Sequence, residues 1–365
     1  MKDNLVISTM PIKPQKKTNI GMLIAPTLVS LFGDIFNCEK IISMNSLNTY
    51  HDKDLELNVY KNDINENKIS YDRVFVDKEN VDKILSIIER LYSDGFITIK
   101  TKEKVICECG KVDMLNNFTN YNAKLFDKNR KGEIFCKECG KVCKCYKEEN
   151  LFLELRKDID DSVNIVPLYL KKEMNGFSKQ FKGTDILISK NRNTGYSLLL
   201  NGKVFNIDID FLWNNFFKLF EQESQVLIAS NHQLLLMYLM NYFSKITSKK
   251  NLTFVANPYV LNKDEDLSLN FFEKDNEYYK KLFILYNLKW GQKTCYWSQS
   301  VINYLNTISD TKLLNLYKSI ILYSKDIISS DTLTLDKQID KILSTGTNMQ
   351  NNIKLMKKLY KDGYL

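Results

Sequence analysis

The sequence predicts an α/β protein: a Rossmann-type parallel sheet, split by an insert with zinc knuckles and followed by a short C-terminal α-helical domain. Three observations lead there. The chain opens strand, loop, helix: residues 4–8 (Asn-Leu-Val-Ile-Ser) form a short apolar run, and a turn with Pro11 and Pro14 leads to an apolar helical stretch ending at Phe36. A second succession, strand 225–229, helix 232–246 and strand 252–256, has the β-α-β spacing that returns a chain to the same parallel sheet. Between the two lies a duplicated pentapeptide: Glu108-Cys109-Gly110-Lys111-Val112 recurs as Glu138-Cys139-Gly140-Lys141-Val142.

The duplication is the strongest chemical signal. Cys107 precedes the first copy and Cys136 the second, giving Cys107-x-Cys109 and Cys136-x-x-Cys139. Four thiolates on two turns can surround one tetrahedral Zn²⁺, and a glycine after each pair permits the tight reversal. Cys143 and Cys145 continue the second turn and read as spare thiols, alternative ligands or part of a second metal site. Six of the eight cysteines fall within 107–145, which points to metal; an extracellular disulfide module is the alternative.

The remaining elements follow from periodicity. Apolar residues at 81, 84, 85, 87, 88, 91 and 92 make one face of a helix over 79–95, with Gly95 at its C-terminal end. Residues 96–100 and 103–107 read as a hairpin into the first knuckle. From about 275 onward the pattern is helical without strand signals. The expected division is a first half-sheet at 1–75, an insert at 76–200 with knuckles near 105–146, a second half-sheet at 201–274, and helices at 275–365.

Composition bounds the function. A chain of 365 residues with 44% hydrophobic residues builds a substantial core. Fifty-two Lys and Arg against 44 Asp and Glu give a net charge of +8, which suits a polyanion such as RNA, or else reflects solvated lysine-rich faces. The opening residues lack a secretory pattern, and the longest apolar stretch, 20–36, is broken by Gly21, Pro26, Gly33 and Asp34. The expectation is a cytoplasmic protein with no membrane partner.

These blocks, in this order, resemble a class I aminoacyl-tRNA synthetase of the methionyl type. Residues 10–22, from Met10-Pro11 to Asn19-Ile20-Gly21-Met22, stand where that family has its HIGH signature. Residues 91–110 and 147–155 resemble the entry to and return from its zinc-bearing insert, 185–195 a SRxRxxG segment, 203–212 one wall of the methionine pocket, 226–243 the later strand and helix, and 252–268 the KMSKS region.

The resemblance implies ATP-dependent amino acid activation, with ATP and Mg²⁺ as substrate and a tRNA acceptor end as partner. Nucleotide binding falls to Pro11, Asn19, Ile20, Gly21 and His232, and catalysis to Asn19, Gly21 and Lys263. The structural Zn²⁺ falls to Cys107, Cys109, Cys136 and Cys139. Two departures matter. Asn19 and Met22 replace the two signature histidines, and Met22 cannot hydrogen-bond a phosphate. Asp264, Glu265 and Asp266 stand where the family's pyrophosphate-neutralising lysines belong, leaving Lys263 nearby; Lys16 and Lys17, or Lys249 and Lys250, are candidate substitutes.

Asp208 aligns with an aromatic of the methionine pocket, and strand alternation puts Asp210 on the same side. A pocket carboxylate demands a cationic or hydrogen-bonding substrate; in the competing reading both carboxylates are exposed. His232 alternatively packs or caps, with Ser230 and Asn231 as N-cap residues, and Phe216, Phe217, Tyr278 and Tyr279 read as core. Because both signatures are altered, the alternatives to a working synthetase are a non-catalytic tRNA- or nucleotide-binding paralogue and an acyl transferase that uses preformed aminoacyl-tRNA.

Overall fold

The computed structural model describes residues 4–15, 18–45, 54–113, 126–189, 196–207, 213–247, 250–260, 276–297, 299–329 and 333–351. The chain begins β1 (Leu5–Thr9), α1 (Ile20–Phe36), β2 (Glu39–Met44), α2 (Asp54–Glu66), β3 (Arg73–Val76) and α3 (Val81–Ser93). It continues β4 (Ile97–Ile106), β5 (Val112–Asp113), β6 (Phe126–Lys128), β7 (Ile134–Cys136), β8 (Lys144–Glu154), β9 (Asn164–Val166), α4 (Lys171–Phe181), β10 (Asp185–Leu187), β11 (Tyr196–Leu200) and β12 (Lys203–Ile207). It closes with β13 (Ser224–Ser230), α5 (Leu234–Thr247), β14 (Asn251–Asn257), β15 (Tyr259–Val260), α6 (Glu277–Asn287), β16 (Thr294–Cys295), α7 (Gln299–Thr307), α8 (Asp310–Ser329) and α9 (Leu335–Asn351).

Six of these strands form one sheet in the order β3-β2-β1-β13-β14-β9, every pair parallel. Both of its faces are covered, so the strands alternate between two cores. Ile7, Val226, Ile228 and Val255 join the core that contains α1 and the C-terminal helices. Val6, Leu227, Ala229, Phe254 and Ala256 join the core that contains α3, α4 and α5. Phe216, Phe217 and Tyr279 are buried, and Tyr278 packs against the first core, as expected of core aromatics.

Strand order reverses between β1 and β13: the chain runs outward from β1 through β2 to β3, then returns to β13 on β1's other side. The carboxyl ends of those two strands flank the crevice where open α/β sheets bind ligands.

The insert differs from expectation in two ways. Residues 96–107 are not a hairpin: β4 is one ten-residue strand paired antiparallel to β8 from Ile97↔Leu153 to Ile106↔Lys144. Its partner lies some forty residues on, a pairing that local periodicity cannot reveal. Residues Asn164–Val166, inside the stretch assigned to the insert, hydrogen-bond to β14 and form an edge of the main sheet. A two-residue strand at Thr294–Cys295 also interrupts the C-terminal helices and pairs with β15.

The C-terminal helices are tied to α1 by polar contacts as well as by apolar packing. Asp34 of α1 accepts from Lys281 Nζ (2.7 Å), Tyr317 Oη (2.5 Å) and Lys40 Nζ (3.4 Å). Burial alone would raise the Asp34 pKa; the Lys281 charge and hydrogen bonds from Lys281 and Tyr317 outweigh it and hold the carboxyl below the ordinary aspartate value.

Candidate functional site

The loop after β1 stays attached to the sheet on both sides. Met10 N–H donates to Ile228 O (2.9 Å), Ile12 N–H to Ser43 O (2.9 Å), and Asn45 N–H to Ile12 O (2.8 Å). Pro11 and Pro14 are buried in this loop. The chain then enters α1, whose N-terminus faces the same carboxyl edge, with free N–H groups and the positive end of its dipole.

Asn19 is the N-cap of α1: its Oδ1 accepts the Met22 N–H at 3.2 Å. Ile20 is buried, and Gly21 is exposed in the first turn. A Cβ on Gly21 would stand 3.0 Å from Asn19 Oδ1, so glycine leaves the capping oxygen unobstructed. Tyr60 Oη donates to Met22 O (2.6 Å) and fixes this turn to α2. Met22 thus serves through its backbone, whereas the Asn19 side chain already has a structural task.

His232 reaches the same edge from β13. Its N–H is capped by Ser230 Oγ (3.5 Å), and its ring meets Tyr259 edge-on with centroids 4.3 Å apart. The fold therefore brings Pro11, Asn19, Ile20, Gly21 and His232 to the two sides of the switch point. Lys263, Asp208 and Asp210 lie outside the described residues, as do Asp264, Glu265, Asp266, Lys16, Lys17 and Lys249. Lys250 is described and is no substitute for a phosphate lysine. It precedes β14, at the amino-terminal edge of the sheet, and its Nζ donates to the carbonyls of Phe220, Glu221 (3.3 Å) and Gln222 (3.1 Å).

The knuckles form a second, separate centre. The sulfurs of Cys107, Cys109, Cys136 and Cys139 all lie within 4.8 Å of one another. Cys107 and Cys139 sulfurs are 3.3 Å apart and those of Cys109 and Cys136 3.7 Å, too far for disulfides. Tetrahedral coordination at Zn–S near 2.3 Å places sulfurs roughly 3.8 Å apart. The arrangement fits a Cys₄ metal ion, held by two buried and two exposed cysteines.

Each turn is built the same way. The first Cys N–H donates to the Lys carbonyl, Cys107 to Lys111 and Cys136 to Lys141, both at 2.9 Å, and the Gly N–H returns to the first Cys carbonyl. Gly110 and Gly140 adopt φ of 88° and 71°, a region in which a side chain would be strained. The duplicated pentapeptides also pair reciprocally: Lys141 with Glu108 (3.2 Å) and Lys111 with Glu138 (2.8 Å). Among the described residues this is the only His/Cys/Asp/Glu group arranged to hold a metal; Cys143 and Cys145 lie outside it. Cys143 packs beside the cluster with Sγ 3.6 Å from Lys141 O, and Cys145 is exposed.

A doubly covered parallel sheet with a switch point, interrupted by an insert whose four clustered cysteines could hold a metal ion and backed by helices, is a class I synthetase-like fold. No protein-family profile and no characterised protein matches the sequence. Solved structures do match in shape. The chain is similar to Mycobacterium tuberculosis methionyl-tRNA synthetase in complex with methionyl-adenylate, at 12% identity and a TM-score of 0.62 over 92% of this chain and 73% of that one. A second structure of that enzyme, bound by Met-AMP, matches at 12% identity and 0.62 over 97% of this chain and 84% of that one. Its apo form matches at 14% and 0.59 over 94% and 80%. No helix among the described residues is long and apolar enough to cross a membrane.

Proposed function

We propose that this chain is a divergent methionyl-type class I aminoacyl-tRNA synthetase-like protein that activates an amino acid with ATP and presents it to the acceptor end of a tRNA in the cytoplasm. The observation that carries this reading is the extent of the likeness: 92–97% of the chain follows structures of methionyl-tRNA synthetase bound to its adenylate. In this reading the α1 N-terminus, with Asn19, Ile20 and Gly21, cradles the phosphate oxygens of Mg²⁺-bound ATP. Pro11 and His232 border the nucleotide, and Lys263 neutralises the leaving pyrophosphate. Asp208 and Asp210 select a cationic or hydrogen-bonding amino acid. A Zn²⁺ ion on Cys107, Cys109, Cys136 and Cys139 holds the insert in shape and takes no part in the chemistry.

Amino-acid-dependent ATP–pyrophosphate exchange, run with each amino acid in turn, tests the proposal. Exchange with one substrate establishes adenylation and names it; silence from folded, metal-loaded protein overturns it. The second reading, a tRNA- or nucleotide-binding paralogue without adenylation, is favoured by a specific observation: the Asn19 side chain, which replaces a signature histidine, is engaged in capping α1. Acyl transfer from preformed aminoacyl-tRNA also needs no pyrophosphate lysines and belongs with that outcome.

A further inference from the structure

The two knuckle turns are copies that diverge at the residue following each. Asp113 follows the first pentapeptide, whereas Cys143 follows the second. The second turn therefore carries three sulfurs, Cys136, Cys139 and Cys143, and the first carries two. The spacing Cys136-x-x-Cys139-x-x-x-Cys143 keeps both intervals within the range that metal-binding turns use.

Backbone pairing decides where the extra sulfur points. Phe135 pairs antiparallel with Val142, and Cys143 N–H donates to Ile134 O (2.8 Å). Opposed residues of an antiparallel pair point to one side, so Cys143 shares its face with Ile134 and, two residues along, with Cys136. That face is the inner one: Cys143 and Ile134 both pack on the small core of Val105, Cys107, Phe126 and Cys136.

The surroundings of the Cys143 thiol are those of the cluster. Its Sγ lies 3.6 Å from Lys141 O, the carbonyl that closes the second turn by accepting Cys136 N–H (2.9 Å). Burial raises the Cys143 pKa, hydrogen bonding to the Cys107 side chain lowers it, and Cys136, Cys139 and Cys109 raise it further. Cys145, two residues on, is exposed, and the charged groups it meets are Glu103 and Lys128.

We infer that Cys143 is a reserve metal ligand that takes the place of Cys107, giving two four-sulfur donor sets that share Cys109, Cys136 and Cys139. The inference rests on the metal reading above. In the exchange one sulfur–metal bond breaks at Cys107 and one forms at Cys143. The Cys143 proton passes to Cys107, so charge and protons balance. Three ligands then come from the second turn, and the end of β4 is released while the metal stays bound.

The test is Co²⁺ loading of the full chain, read by thiolate-to-metal charge-transfer absorption, with zinc content measured in parallel. Cys107→Ser should keep stoichiometric zinc and the full four-thiolate band, because Cys143 completes the set. Adding Cys143→Ser should lower the band by about a quarter, one thiolate in four. If Cys107→Ser alone already shows the reduced band, the reserve is overturned and the metal site stands; a wild type that binds neither ion overturns both. Alkylation decides the matter without a variant at buried Cys107. Zinc-loaded wild type treated with limiting iodoacetamide and mapped by peptide mass spectrometry should carry label at Cys107 as well as at Cys143. Label at Cys143 with Cys107 fully protected overturns the exchange.

Discussion

The knuckle module and the N-terminus of α1 are held in shape by different means. In the module the full donor set is present: four cysteines, two glycines at positive φ, and turns closed by matching backbone bonds. At α1 the helix start is held by its N-cap, buried Ile20 and unobstructed Gly21, and what it offers a ligand is backbone N–H groups. Metal coordination needs four side-chain donors, whereas a helix N-terminus offers backbone N–H groups whatever its side chains are. The module's sequence is thus tied to its chemistry, and α1 can drift in chemistry while it preserves the fold.

The comparison breaks most readily at the metal. Cys136→Ser, at a fully buried sulfur, should abolish stoichiometric zinc and open the segment from 107 to 145 to protease, with the main sheet still folded. Metal analysis with limited proteolysis checks this. Full zinc retention would mean that another thiol, such as Cys143, completes the site.

The next effect concerns what holds α1 in place. Asp34→Ala leaves Lys281, with a side chain 4% exposed, without its carboxylate and should cost about 3 kcal/mol in denaturant unfolding. The pH dependence has a defined sign. Asp34 has its pKa lowered from 3.8 in the fold, so its contribution is present above pH 3.8 and drains away as pH falls from there through the depressed value. Stability of wild type and Asp34→Ala should therefore converge in acid below about pH 4; a constant difference down to pH 2 would assign the loss to packing.

Smaller effects separate cap from catalyst. Asn19→Ala should cost about 1 kcal/mol, and Asn19→Ser or Asn19→Asp should restore most of it, because both side chains can cap. If ATP–pyrophosphate exchange occurs and follows stability across these three variants, Asn19 acts through the helix; if exchange falls while stability is restored, it also touches the nucleotide. Smallest of all, Glu108→Lys should barely move the thermal melting temperature, and adding Lys141→Glu should recover it, since both partners are mostly exposed.

Legibility followed the range of the physical signal. The strands at 5–9, 224–230 and 251–257 announced themselves as short apolar runs, and the cysteine spacing stated its donor set outright. The three-residue strand at Asn164–Val166 gave no such sign: its place in the sheet depends on β14, far along the chain. The contact of His232 with Tyr259 was equally hidden, because the two come from separate segments.

By itself the sequence determined the α/β class, the strands β1, β13 and β14 and the four-cysteine turns, because periodicity and cysteine spacing are local properties of the chain. Tertiary structure decided which groups share a site. It committed Asn19 to a cap, carried Lys250 to the edge away from the crevice and placed exposed Tyr169 and Tyr259 just beyond the carboxyl ends of β9 and β14. Those outcomes depend on strand order and on hydrogen bonds between distant residues, which exist only once the sheet has formed.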